Sequence, residues 1–232
     1  MFEVGLADHY SSKDMIILAG AMHGGTSLIA SMLTSGQQAT VMIENRLLLT
    51  EEEHYIELDN QHKNLNRPLI NKITIPLYPM HSLEQLKTVY GGKFAFIFRH
   101  PIDAILSSLD RGGQGIHWGI YWNNWLIDIA FKHKQKYPDE TYIFKYEDLI
   151  AEPEQTLIPL CDFLGMTYTD KMLEFEMVNH HFKKAYGNKL CRKNAYKFAT
   201  DPRQQLVRKI YNQTAPHIVK AGYSEDINSS WG

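Results

Sequence analysis

The most informative stretch of the chain is a glycine-rich segment, GAMHGGTSLIASML, at residues 20–33. Gly20-x-x-x-x-Gly25-Thr26-Ser27 keeps the glycine spacing of a phosphate-binding loop, but Thr26 stands where a nucleotide triphosphatase needs lysine. Glycines let successive backbone N–H groups and the following helix N-terminus face one anion. The segment therefore predicts a cradle for a phosphate or sulfate. The alternative is a glycine-rich turn that only packs a strand against a helix.

A second segment, FIFRHPIDAILSS, places a basic and a hydroxyl residue at a spacing that suits another anion. Arg99 ends an apolar run that we predict to be a buried strand, and Ser107 follows eight residues later on the next predicted helix. In open α/β folds, ligands bind at the carboxyl ends of the strands. We therefore expect Arg99 to meet an anion, with a structural ion pair as the alternative.

The elements that must position these residues alternate between strand and helix patterns. Short apolar runs predict strands, and helical spacing or capping signals predict helices after most of them. We expect strands at 15–19, 40–43, 68–75, 94–98 and 142–145, and helices at 26–33, 50–64, 101–109, 116–134 and 146–164, with a further helix near Ser82. Buried strands that alternate with helices predict a three-layer α/β/α fold with a central parallel sheet, of the P-loop-containing nucleotide-binding type.

Length and composition fit a single folded domain. The chain has 232 residues, of which 44% are hydrophobic and 22% charged, so it carries enough apolar material for one core. No repeat or linker divides it. We expect one domain over 1–232, with a motif-bearing α/β core at about 14–165 and a mostly helical part at about 166–232.

Charge, cysteines and hydropathy exclude several classes of protein. A net charge of −2 argues against a nucleic-acid partner. Two cysteines without ligand spacing support neither a disulfide framework nor a zinc site. The sequence has no signal-peptide pattern and no apolar run long enough to span a membrane. We expect a cytoplasmic protein.

Taken together, the motifs resemble those of sulfotransferases that use 3′-phosphoadenosine 5′-phosphosulfate (PAPS). The segment 20–28 is similar to their 5′-phosphosulfate loop, and FRHPIDAILSS is similar to their 3′-phosphate motif. The segment YIFKYEDLIAEPEQTLIPLCDFLG resembles a Tyr-Glu-Asp-Leu stretch and the helix that follows it in the same family. The three motifs occur in the expected order, and the likeness covers roughly residues 14–165.

The resemblance implies transfer of a sulfuryl group from PAPS to a hydroxyl of a small molecule or glycan, without a metal. It also implies which residues hold the donor. The residues around the 5′-phosphosulfate would be Gly24, Gly25, Thr26 and Ser27, and those at the 3′-phosphate Arg99 and Ser107. In relatives, a basic C-terminal segment closes over the 3′-phosphate. Arg192 and Lys193 are the candidates here, with a solvated surface as the alternative.

One position departs from the family pattern. His23 stands where relatives usually carry Lys or Arg, the cation that steadies the transferring group and the leaving phosphate. A protonated imidazole could replace that charge, but free histidine has a pKa of about 6.5 and is only partly charged near neutrality. Either His23 is a working substitute or the protein is a weakened relative that binds the nucleotide without turnover.

Two further residues are candidates for the chemistry. Transfer to a hydroxyl usually needs a base for the acceptor proton. Glu44 follows the second predicted strand, and relatives often place a glutamate base in this region. Lys72 resembles a lysine that some relatives carry on the next strand, where it would compensate for His23. The alternatives are a surface carboxylate for Glu44 and an exposed strand-edge lysine for Lys72.

A P-loop kinase of small molecules is the competing enzyme hypothesis. It predicts Mg²⁺ dependence, a loop lysine and a metal-binding carboxylate after a buried strand, and the sequence has no clear candidate for the last two. The acceptor and the oligomeric state are not predicted by any pattern in the chain.

Overall fold

In the computed structural model of the protein, a parallel sheet occupies the centre of the described part of the chain. That part comprises residues 15–36, 39–43, 68–75, 87, 92–113, 115–175, 190, 193 and 195–224. Its strands are β1 (Met15–Ala21), β2 (Thr40–Ile43), β3 (Leu69–Ile75), β4 (Lys93–Phe98) and β5 (Thr141–Lys145). They lie in the order β2-β3-β1-β4-β5, and every neighbouring pair is parallel. The predicted α/β fold with a parallel sheet is confirmed.

Helices connect and cover these strands. The described part contains α1 (Thr26–Ser35), α2 (Pro101–Leu109), α3 (Ile116–Lys136), α4 (Tyr146–Ala151), α5 (Pro153–Leu164) and α6 (Gln204–Lys220). Short 3₁₀ turns lie at Pro138–Glu140, Asp170–Leu173 and Lys197–Thr200. None of the described helices is both long enough and apolar enough to cross a bilayer.

Both faces of the sheet are covered by helices. Successive residues of a strand point to opposite faces, so neighbouring residues belong to different apolar clusters. On β1, Ile17 and Ala19 belong to an apolar cluster with α2, α3 and α6. Ile16 and Leu18 belong to a second cluster with α1, α4 and α5. A strand buried on both faces reads as a continuous apolar run, which is why the sequence could identify it.

The segment 146–164 differs from the prediction, because it forms two helices where we expected one. The break falls at Glu152, whose φ of −134° and ψ of 67° are not helical. Proline disfavours the helical conformation of the residue before it, and Pro153 is the first residue of α5. Gly165 adopts a left-handed conformation with φ 75° and ends α5, as predicted.

The topology brings the two predicted anion sites to one edge of the sheet. In the register of the parallel pairs, Gly20 on β1 lies opposite Thr74 on β3 and Ile97 on β4. The loop after β1 and Arg99 after β4 therefore emerge side by side. The predicted helix at 50–64 lies outside the described residues, as does almost all of the one near Ser82.

Candidate functional site: a glycine loop between two arginines

The glycine-rich loop is a tight turn between β1 and α1. The Gly24 N–H donates to the Ala21 carbonyl oxygen at 2.8 Å. A Cβ at Gly24 would lie 2.8 Å from that oxygen, so the turn has room only for glycine. Gly25 has a φ of 100° and caps the N-terminus of α1. The loop therefore brings backbone amides and the first turn of α1 to the carboxyl edge of the sheet.

Thr26, which occupies the position of the missing lysine, points into the sheet. Its side chain is buried, and its hydroxyl lies 3.4 Å from the hydroxyl of Thr74 on β3. A Cβ at Gly20 would come within 2.5 Å of the Thr26 methyl group, so the two residues are packed together. The Thr26 side chain thus anchors the loop to the sheet. Because that side chain points away from the loop, the Thr26 backbone amide is the group that could contact a ligand.

Arg99 lies under this loop, directly after β4. Its side chain is only 5% exposed, and its Nη1 donates to the His23 carbonyl oxygen at 3.0 Å. The guanidinium also lies 5.0 Å from the centre of the Tyr146 ring, and its Nη2 is 4.0 Å from a carboxylate oxygen of Asp103. These contacts hold a buried positive charge against the backbone of the loop.

Asp103 connects this charge to the C-terminal part of the chain. Its carboxylate accepts N–H groups of Lys197 at 3.1 Å and Phe198 at 2.8 Å. Burial raises the pKa of Asp103, while Arg99 and these two hydrogen bonds oppose the rise. The only sequence signal for Asp103 is its position four residues after Arg99, because its other partners lie more than ninety positions away.

A second guanidinium reaches the same loop from the far end of α2. Nη1 of Arg111 lies 3.0 Å from Nδ1 of His23, and His23 has a left-handed φ of 60°. Arg99 precedes α2 and Arg111 follows it, so the two arginines contact His23 from opposite ends of one nine-residue helix. No pattern along the chain pointed to Arg111, because its contact with His23 spans 88 positions.

The His23 imidazole is neutral in this environment. Burial, with smaller contributions from the charges of Arg111 and Arg99, lowers the pKa of His23 to about 4. The structure therefore does not support the expectation of a protonated imidazole in place of lysine. The positive charge at this point of the loop belongs to the arginines, and whether His23 takes part in transfer stays a prediction.

A buried glutamate holds the other side of the site together. Oε1 of Glu147 accepts the backbone N–H of His100 at 2.9 Å, and Oε2 accepts the hydroxyl of Tyr223 at 2.7 Å. Burial raises the pKa of Glu147 to about 7, although both hydrogen bonds favour the ionised form. Tyr146, the preceding residue, packs under Gly25 and Arg99. The Tyr-Glu-Asp-Leu stretch thus contacts both anion motifs: Tyr146 packs against Gly25 and Arg99, and Glu147 binds the backbone of His100.

The remaining predicted site residues differ in burial, and two of them lie outside the described residues. Ser107 is half-buried on α2, and Lys193 is exposed. Lys72 is 1% exposed on β3, which lies between β2 and β1. The alternative of an exposed lysine at a strand edge is therefore wrong for Lys72. Glu44 and Arg192 lie outside the described residues, and their roles stay predictions.

Comparison with known proteins agrees with this fold. A family model described as "Sulfotransferase family" matches residues 56–170. Among solved structures, the chain is similar to the sulfotransferase domain of the Synechococcus PCC 7002 olefin synthase, with 16% identity and a TM-score of 0.69 over 89% of this chain and 96% of that one. A sulfotransferase from Alicyclobacillus acidocaldarius shares 11% identity with a TM-score of 0.62, over 90% of this chain and 94% of that one.

A third similar structure is that of a sulfotransferase in complex with a nucleotide. The crystal structure of mouse sulfotransferase SULT7A1 complexed with PAP shares 14% identity with a TM-score of 0.53, over 86% of this chain and 70% of that one. No curated protein matches the chain. The chain is therefore similar to the sulfotransferase family in sequence over residues 56–170 and to these sulfotransferases in fold.

Proposed function

We propose that the protein transfers a sulfuryl group from PAPS to a hydroxyl of a small molecule or glycan. The observation that carries the proposal is the 3.0 Å hydrogen bond from Arg99 to the backbone of the glycine loop. It joins the two motifs that the family resemblance assigns to the two phosphate-bearing ends of one nucleotide. The structure of the mouse relative complexed with PAP supports the same donor class.

The loop fits a phosphate or phosphosulfate by its shape and its charge. Gly24 and Gly25 lie where side chains would collide with the Ala21 carbonyl oxygen and the Tyr146 ring, so backbone amides line the turn. The nearby charge comes from Arg99, which is held in place by three different contacts. Fixed amides and a fixed cation stabilise an anion without a cost of reorganisation.

The roles that we propose for the site residues are those that the family resemblance implies. The backbone amides of Gly24 to Ser27 would hold the 5′-phosphosulfate, and Arg99 with Ser107 the 3′-phosphate. Arg192 and Lys193 are the candidates to close over that phosphate. When bound, the donor supplies the sulfuryl group, whose bond to the 5′-phosphate oxygen breaks as the acceptor oxygen bonds to sulfur. Glu44 would take the acceptor proton, and Lys72 would add positive charge near the leaving oxygen.

A weakened sulfotransferase that binds the nucleotide without turnover is the second candidate. The neutral state of His23 favours it, since the loop then lacks the side-chain cation that relatives carry at this position. A measured turnover with PAPS and a panel of hydroxyl acceptors separates the two candidates.

A thermal-shift titration tests the donor class first. A ligand that binds only the folded state raises the apparent melting temperature by mass action. We expect 3′,5′-adenosine bisphosphate (PAP) to stabilise the protein equally with and without Mg²⁺, and ATP to stabilise it much less. Stabilisation by ATP that depends on Mg²⁺ would instead support the P-loop kinase hypothesis and contradict the proposed function.

A further inference from the structure

Two guanidinium groups meet at His23, and the chemistry of the contact defines its direction. A guanidinium has hydrogen-bond donors and no acceptor, so Nδ1 of His23 must accept from Nη1 of Arg111 at 3.0 Å. The imidazole then carries its hydrogen on Nε2 and is neutral. His23 thus acts toward Arg111 as a hydrogen-bond acceptor that aims the guanidinium at the loop.

We propose that Arg111 supplies the side-chain cation of the glycine loop and binds the 5′-phosphate end of the donor nucleotide, with His23 as its positioning residue. The inference rests on the proposed function, since it assigns one residue to one end of that donor. A planar guanidinium can bind a phosphate or sulfate with two hydrogen bonds at once, which a lysine cannot do.

The electrostatics of the loop favour an anion between the two arginines. Burial and the charge of Arg99 both lower the pKa of Arg111, so the positive charges are close enough to repel each other. The neighbouring carboxylate, Asp110, forms an ion pair with Arg203 at 2.6 Å. A phosphate at the loop would relieve the repulsion between Arg99 and Arg111, and the backbone amides of the turn would complete its hydrogen bonds.

The position of Arg111 separates its role from that of Arg99. Arg99 is buried and contacts the loop through the His23 carbonyl oxygen, whereas Arg111 is exposed and contacts the His23 ring. The family resemblance assigns Arg99 to the 3′-phosphate. Arg111 should therefore respond to the 5′-phosphate alone, which ligands with one phosphate removed can report.

Isothermal titration calorimetry with PAP and with adenosine 3′-monophosphate tests this assignment. We expect Arg111→Ala to weaken PAP by about 10- to 100-fold, the range of one charge-assisted hydrogen bond, and to change the affinity of the 3′-monophosphate by less than about two-fold. Arg208→Ala is the matched control, because Arg208 is an exposed arginine on α6 that the site does not use. It should bind both ligands like the wild type.

Variants of His23 test the origin of the charge. His23→Lys placed in the Arg111→Ala background should recover at least about ten-fold in PAP affinity, because it restores a cation at the loop. His23→Asn keeps a hydrogen-bond acceptor and tolerates the left-handed φ of 60°, so it should retain more affinity than His23→Ala. His23 should add nothing to the pH dependence of PAP affinity between pH 6 and 8, because its pKa is lowered to about 4, so the pH profiles of the wild type and His23→Asn should run parallel there.

The outcomes distinguish this inference from the proposed function. If the wild type binds PAP and Arg111→Ala binds it equally well, the role of Arg111 is wrong and the donor class stands. Equal losses for PAP and the 3′-monophosphate would show that Arg111 is structural, which also overturns the inference. A wild type that binds neither ligand would contradict the proposed function itself.

Discussion

Gly25→Ala is the substitution at which the structure gives the loop its sharpest prediction. Gly25 has a φ of 100°, and a Cβ there would lie 2.5 Å from Cδ2 of Tyr146 and 3.2 Å from Cδ1 of Ile97. The left-handed backbone costs about 1–2 kcal/mol and crowding in a packed region about 1–3 kcal/mol, offset by about 0.4–1 kcal/mol from a stiffer unfolded chain. We expect the free energy of unfolding to fall by about 1–4.5 kcal/mol.

Gly165→Ala is the matched control for the conformational part of this cost. Gly165 has a φ of 75° at the end of α5, and a Cβ there meets nothing within 4 Å. Alanine at that position should cost about 1 kcal/mol, from the backbone alone. The difference between the two variants therefore measures the contact with the Tyr146 ring.

Urea denaturation of both variants and the wild type provides the measurement, with thermal unfolding as a second readout. For a chain of this size, the loss predicted for Gly25→Ala corresponds to a melting temperature lower by about 2–18 °C. PAP affinity should fall as well, because Arg99 lies 5.0 Å from the ring that the new methyl group displaces. If Gly25→Ala is no less stable than Gly165→Ala, the packing of Tyr146 under the loop is refuted.

Three further predictions concern charge at the site. Arg99→Ala should weaken PAP binding by about 2–5 kcal/mol, since it removes one partner of a buried charge pair. If calorimetry shows that the wild type binds ligands with and without the 3′-phosphate equally well, the assignment of Arg99 to that phosphate is wrong. Glu44→Gln should abolish transfer from PAPS in a turnover assay and leave PAP affinity nearly unchanged; an active Gln variant would remove Glu44 as the base. Glu147→Gln should change how stability depends on pH. The pKa of Glu147 is raised from 4.5 to about 7, so its ionisable carboxyl contributes stability that is present below pH 4.5 and lost as the pH rises through 7. His23 and His100 act in the opposite sense, because burial lowers their pKa values to about 4 and about 3, and their contribution falls as the pH drops below 6.5. Urea titrations at several pH values should therefore show wild-type stability falling relative to Glu147→Gln between pH 4.5 and 7, and parallel curves would show that Glu147 does not titrate in this window.

The amino-acid sequence by itself determined the features that depend on neighbours along the chain. The apolar runs that became β1 and β4 marked buried strands, and the glycine spacing marked the turn between β1 and α1. Arg99 could be placed at the end of a strand because a short apolar run stops immediately before it. Such signals are local, since backbone geometry repeats every two or 3.6 residues.

Only the tertiary structure decided which distant side chains meet. The order of the strands placed β3 inside the sheet and buried Lys72, which a strand pattern alone could equally have left at an edge. The position of α2 beside the loop brought Arg111 to His23. In this environment the pKa of His23 is lowered to about 4, so the imidazole is a neutral hydrogen-bond acceptor and not a cation. The charge of a histidine depends on burial and on neighbouring charges, and these are set by contacts between residues far apart in the chain.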